Sequence, residues 1–169
     1  PYSVYEPARR AGVRRVVFAS SNHVIGFYAR GETVGPDDPV RPDTFYGVSK
    51  AFGEVLGRLY ADKYGLEVVC LRIGSFAERP TTLRQLSIWL SPRDCIQLVR
   101  CSLDAPAVRF QVVYGVSANT RSWWKDDAAA SLGYHPQDNA EEFAAQIEEP
   151  SPGTPSRLAD RLQGGSFVE

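Results

Sequence analysis

An α/β fold built on a parallel sheet is predicted by three observations. Short β-branched runs stand at Arg14–Ala19, Glu67–Ile73 and Phe110–Tyr114; a long helical repeat separates the first two, and a capped helix separates the second and third. Strand, helix, strand, helix, strand is the order of right-handed crossovers in one sheet.

Each element has its own local reason. "YEPARRAG" reads as a helix leading into the first strand, with Pro7 expected to kink or shorten it. Val48, Phe52, Val55, Leu56, Leu59 and Tyr60 recur at helical spacing, which predicts a helix over about Phe45–Tyr64 with that stripe facing the core and Gly65 ending it. Ser91-Pro92-Arg93-Asp94 opens the next helix, with Ser91 as cap, Pro92 in the first turn and Asp94 at the positive end; it should run to about Leu103. Beyond Tyr114 the pattern weakens to two short helices, Ala128–Leu132 and Asn139–Ile147. Residues 149–169, rich in Pro, Ser and Gly at first, read as an irregular C-terminal tail at the surface, leaving residues 1–148 as one domain.

Composition narrows the function classes. With 169 residues and 43% hydrophobic content the chain supplies one ordinary core. Its 19 basic and 20 acidic residues are interspersed at a net charge of -1, so neither nucleic acid nor an anionic membrane is expected as partner, and a small polar molecule is. No apolar run approaches a membrane span and the N-terminus has no signal-peptide pattern, which makes the cytoplasm the default expectation. Cys70, Cys95 and Cys101 are odd in number and form no C-x-x-C, against a disulfide framework or a zinc site; all three read as thiols, with Cys70 in a core strand.

Two clusters carry the candidate chemistry. The first strand finishes in Ser20-Ser21-Asn22-His23, and ligands of open α/β sheets sit outside the carboxyl ends of the strands. Taken alone, these four side chains could equally cap the next segment and bond to backbone. Tyr46 and Lys50 share a helix face apart from the apolar stripe. A phenol is a poor base at neutral pH, but a neighbouring ammonium favours the phenolate. Tyr-x-x-x-Lys is common by chance on helices; Ser21 upstream and the strand end at Arg72-Ile73-Gly74-Ser75 give it company.

"VVFASSNHVIG", "RPDTFYGVSKAFGE" and "LRIGS" together resemble the extended short-chain dehydrogenase/reductases, of the NAD-dependent epimerase/dehydratase type. Within that group "SSNHVIGFY", "LSIWLSPRD", "VVYGVSANTRSWW" and "GGSFV" are most similar to the uronate dehydrogenases, with the match running from about Tyr5 to Val168. The resemblance implies a Rossmann-like, doubly wound parallel sheet with short C-terminal helices. It also implies NAD-dependent oxidation of D-galacturonate or D-glucuronate at the anomeric carbon to an aldonolactone, and possible assembly into homo-oligomers. By position, Tyr46 is the base, Lys50 its tuner and a holder of the nicotinamide ribose, and Ser21 bonds the reacting hydroxyl. Asn22, His23 and Ser75 bind further sugar hydroxyls, Arg84 takes the carboxylate, and the Phe76 backbone lies near the nicotinamide. A guanidinium suits a carboxylate because it can bond it bidentately; the bland alternative is that Arg84, like Arg79, is an exposed loop arginine. Trp89, Trp123 and Trp124 read as core or subunit-contact aromatics and His135 as a surface residue.

One departure stands out. The glycine-rich turn that receives a dinucleotide's pyrophosphate is not found in these residues, and the chain starts at Pro1-Tyr2 within a helical pattern. The expectation is therefore the C-terminal part of a longer Rossmann-like protein, with little NAD affinity by itself. Two other readings stay open: a sugar-nucleotide epimerase or dehydratase using the same Ser, Tyr and Lys, and a non-catalytic fragment or binding module.

Overall fold

A computed structural model of the chain describes residues 1–125, 127–147 and 157–169. Strands β1 (Arg15–Ser21), β2 (Glu67–Ile73) and β5 (Phe110–Gly115) form a parallel sheet in the order β1-β2-β5, each within two residues of its expected bounds. Ser21 pairs with Ile73 and Ile73 with Gly115, so the three carboxyl ends finish level. This is the α/β architecture anticipated above.

Successive strand residues point to opposite faces, and each face has its own core. Val68 and Cys70 pack with Tyr5, Tyr60 and Leu66 on one side. Val69 and Leu71 pack with Leu98, Val113 and Leu132 on the other. Full burial of one such side chain contributes about 1.5–3 kcal/mol. Helix α1 (Tyr2–Arg10) runs on through Pro7, and its Tyr5 hydroxyl donates to the Gly53 carbonyl at 3.2 Å. Helix α4 (Pro92–Asp104) starts as expected, with Ser91 Oγ accepting from the Asp94 N–H at 3.0 Å. The buried Asp94 does more than favour the helix end, since its carboxylate accepts from the Gln137 and Asp138 N–H groups and anchors that turn.

Helix α2 (Phe45–Tyr64) has the expected bounds, and Gly65 ends it in the left-handed region at φ 72. Its buried face is only partly the expected one: Tyr60 and Leu56 pack in the core, but the rest of the stripe does not. Val48, Phe52, Val55 and Leu59 are about half or more exposed, at 51%, 54%, 67% and 49%, while Gly47, Ala51, Gly53, Glu54, Gly57, Tyr60 and Ala61 are buried. The physical reason is close approach: a side chain at Gly53 would collide with the Phe18 ring on β1, so the small residues set the distance between helix and sheet. Val48, Phe52, Val55 and Leu59 are left on the outer side.

Beyond β2, two short strands pair in parallel, β3 (Ser75–Phe76) with β4 (Trp89–Leu90), flanking the short helix α3 (Gln85–Ile88). The sequence pattern does not announce this second sheet. Helix α5 (Asp127–Ser131) and a 3-10 helix at Ala140–Gln146, capped by Asn139, occupy the two expected short helices. The expectation of an irregular surface tail over 149–169 falls outside the described residues up to 156. From 157 onward it is corrected: helix α6 (Leu158–Arg161) forms, Gln163 is wholly buried, and its side-chain amide donates to the Ala29 and Glu32 carbonyls at 3.0 and 2.9 Å. Those bonds, and one from Trp124 Nε1 to Gln163 Oε1 at 2.8 Å, hold the segment against the body of the fold. Trp89 and Trp124 are buried, Trp123 lies under the Arg30 guanidinium, and His135 is exposed. No helix among the described residues is long and apolar enough to cross a membrane.

Candidate active site

The four polar residues ending β1 divide into two roles. Ser20 faces inward, where its hydroxyl donates to Glu54 Oε1 at 2.6 Å. Glu54 in turn holds Arg72 through two bonds of 3.0 and 2.9 Å, in a pair almost fully withdrawn from solvent. Ser21 acts as a cap: its Oγ accepts from the His23 N–H at 3.2 Å at the start of the single 3-10 turn Asn22–Val24. The Ser21 hydroxyl proton has no acceptor among the described residues.

Tyr46 and Lys50 lie on the first turns of α2, which Thr44 caps by accepting from the Gly47 N–H at 2.9 Å. Lys50 Nζ donates to the Ala19 carbonyl at 2.7 Å and stands 5.2 Å from the centroid of the Tyr46 ring. One of the three lysine donors is thus committed to the strand end, leaving two. Tyr46 is 53% exposed, and its hydroxyl makes no hydrogen bond among the described residues.

Arg84 reaches the same strand end from the loop before α3. With its amide turned to satisfy both neighbours, Asn22 donates to the Ile73 carbonyl at 3.2 Å and accepts from Arg84 Nη2 at 2.8 Å. Arg84 Nε donates to the Gln163 carbonyl at 2.8 Å. Burial pushes the Arg84 guanidinium down to about 10, with nearby Arg30 adding to the effect and Asp43 partly offsetting it. No carboxylate lies within ion-pair distance of Arg84 among the described residues. A cavity of about 660 Å³, lined by Arg30, Thr82, Arg84 and Gly165 among others, opens beside it. Arg79, by contrast, is exposed.

Ser75 Oγ accepts from Gln85 Nε2 at 2.8 Å, while Gln85 Oε1 gathers the Thr81 and Thr82 N–H groups and so braces the loop carrying Arg84. Phe76 is 57% exposed and has no side-chain hydrogen bond or ring contact with the other candidate residues among those described. His23 Nδ1 lies 2.8 and 3.0 Å from the two oxygens of Asp43, and its ring stands 6.1 Å from Tyr46 and 4.4 Å from Phe167.

Ser21, Asn22, His23, Tyr46, Lys50, Ser75 and Arg84 therefore converge on the level carboxyl ends of β1 and β2. Four neighbours escape sequence reasoning: Asp43, Gln85, Gln163 and Phe167. Asp43 had a signal, an acid directly before the Thr44 cap. Gln163 and Phe167 had only the Gly164-Gly165 pair between them.

The family model described as NAD dependent epimerase/dehydratase family matches residues 1–78. The uronate dehydrogenase of Agrobacterium fabrum is 47% identical over 99% of this chain, which covers 64% of that relative. A crystal structure of uronate dehydrogenase from Agrobacterium tumefaciens, a mutant complexed with NAD, superposes with a TM-score of 0.93 at 46% identity, covering 99% of this chain and 63% of that one. A glucuronic acid dehydrogenase structure from Chromohalobacter salexigens gives 0.92 at 44% identity, with 99% and 63% covered. The chain thus spans somewhat under two thirds of the length of these relatives.

Proposed function

We propose that the site oxidises a uronic acid, galacturonate or glucuronate, at the anomeric carbon, a reading supported by the match of residues 1–78 to the NAD dependent epimerase/dehydratase family and by the 47% identity to the uronate dehydrogenase of Agrobacterium fabrum. The observation that carries this reading is Arg84, a desolvated cation without an ion-pair partner among the described residues, bonded to Asn22 beside the Ser21, Tyr46 and Lys50 cluster. A buried cation favours an anionic ligand, because the pairing offsets part of its desolvation.

The roles follow from the donor sets. Ser21, with a free hydroxyl proton, bonds the anomeric oxygen. Tyr46, as phenolate, removes the proton from that hydroxyl, and the Lys50 ammonium stabilises the negative charge on the phenol oxygen. The C–H electron pair departs as hydride, the C–O bond becomes a carbonyl, and the product is the aldonolactone. NAD, when bound, supplies the hydride acceptor. The residues present suit its nicotinamide ribose, since Lys50 keeps two donors free and Tyr46 and Phe76 are exposed at the same sheet edge. Asn22, His23 and Ser75 meet the other sugar hydroxyls, and Arg84 meets the carboxylate.

The outer stripe Phe45, Val48, Phe52, Val55 and Leu59 alternates spacings of three and four, the seam along which two helices pack. A second copy of the chain is the proposed occupant. The catalytic reading is tested by following NADH formation from NAD with galacturonate and with galactose, in the chain fused to the part of the Agrobacterium fabrum relative that it does not cover. Equal rates on the two sugars contradict a site built for a uronate.

A further inference from the structure

His23 and Asp43 form a pair that the oxidation steps do not use. Asp43 stands in the turn before α2, and its side chain has no solvent exposure. Its carboxylate is closely enclosed: a side chain at Gly26 or at Gly164 would run into it, and the Gly164 N–H donates to the Gly26 carbonyl at 2.8 Å across the enclosure. Thr44 Oγ1 donates to Asp43 Oδ1 at 3.3 Å. An ionised carboxylate only accepts hydrogen bonds, so the 2.8 Å contact puts a proton on His23 Nδ1. The other ring nitrogen, Nε2, makes no hydrogen bond among the described residues.

We propose that Asp43 is a positioning residue of this site, holding His23 as the Nδ1–H tautomer so that Nε2 accepts a hydrogen bond from a substrate hydroxyl. A neutral imidazole has one donor and one acceptor, and the bond one nitrogen makes sets the role of the other. The site then has two poles of opposite sense. Arg84 can only donate and suits the carboxylate; His23 Nε2 accepts and suits an O–H, while repelling an acceptor-only carboxylate. This polarity orients a sugar acid in one direction and rejects an analogue with the facing hydroxyl removed or methylated. The identity of that ligand rests on the uronate reading; the tautomer does not.

The chain has two histidines, so a His135→Asn variant assigns the His23 signals by difference. Long-range proton–nitrogen correlation spectra of the labelled chain in mildly alkaline buffer should show a protonated Nδ1 and a bare Nε2 on His23. In Asp43→Ala, which removes the acceptor that holds Nδ1–H, the proton should move to Nε2. A wild-type ring carrying a proton on Nε2, alone or together with Nδ1, overturns the proposal, as does a folded Asp43→Ala that keeps Nδ1–H. If that variant does not fold, the wild-type spectrum decides alone. The predicted tautomer in a chain that leaves galacturonate untouched even when fused to the part of the Agrobacterium fabrum relative that it does not cover supports the pairing and counts against the uronate reading instead.

Discussion

Lys50 Nζ donates to the carbonyl of Ala19 at 2.7 Å, tying the first turns of α2 to the end of β1. That single bond sets the ammonium beside Tyr46 and brings the helix to the strand end that carries Ser21. Tyr46→Phe removes a hydroxyl that is bonded to nothing among the described residues, so thermal stability should be unchanged. In the chain fused to the part of the Agrobacterium fabrum relative that it does not cover, kcat for uronate oxidation should fall by about 100- to 10,000-fold, the share of a positioned base. Steady-state rates beside a melting curve check both halves.

Arg84→Ala should raise KM for galacturonate and lower kcat/KM by about 10- to 150-fold, since a charged hydrogen bond is worth about 1.5–3 kcal/mol. Arg79→Ala, at an exposed position, should leave kcat/KM within about twofold. Parallel losses in the two variants would place the carboxylate elsewhere.

The two sides of α2 make opposite predictions. Tyr60, 3% exposed, lies in the core with Tyr5 and Val68, and Tyr60→Ala should cost about 3–5 kcal/mol in denaturant unfolding. Val55, 67% exposed, should tolerate Val55→Glu within about 0.5 kcal/mol in the monomer. A Phe52→Glu, Val55→Glu double variant should reduce self-association, read by light scattering over a concentration series.

Glu54 is buried and acidic in mid-helix, bonded by both Ser20 and Arg72. Glu54→Gln leaves the Arg72 charge unpaired in the interior and should destabilise by about 3–5 kcal/mol, whereas Ser20→Ala should cost only about 1 kcal/mol. Urea titrations of the two variants separate these outcomes.

Much of the scaffold was legible because it is local. The β-branched runs, the Ser91 cap and Gly65 each act within a few residues, and the strands and helices fall where those signals put them. The burial of α2 was misread for a non-local reason. Hydrophobic periodicity marks the widest apolar stripe, but Gly53 opposite Phe18 makes the small-residue side the one that meets the sheet. Tyr46, Lys50 and Ser21 could be singled out from spacing, and Arg84 from resemblance. Asp43 and Gln163 could not, because their roles depend on segments distant in sequence folding back onto the same strand end.

The most direct measurement of the central claim is NADH formation from galacturonate, galactose and a UDP-sugar. It should be made with the chain alone and with the chain completed by the part of the Agrobacterium fabrum relative that it does not cover. The account predicts oxidation of galacturonate well above the other two in the completed protein, lost in Tyr46→Phe and weakened in Arg84→Ala. Turnover of the UDP-sugar in preference to galacturonate, or galacturonate oxidation indifferent to Arg84, would contradict it.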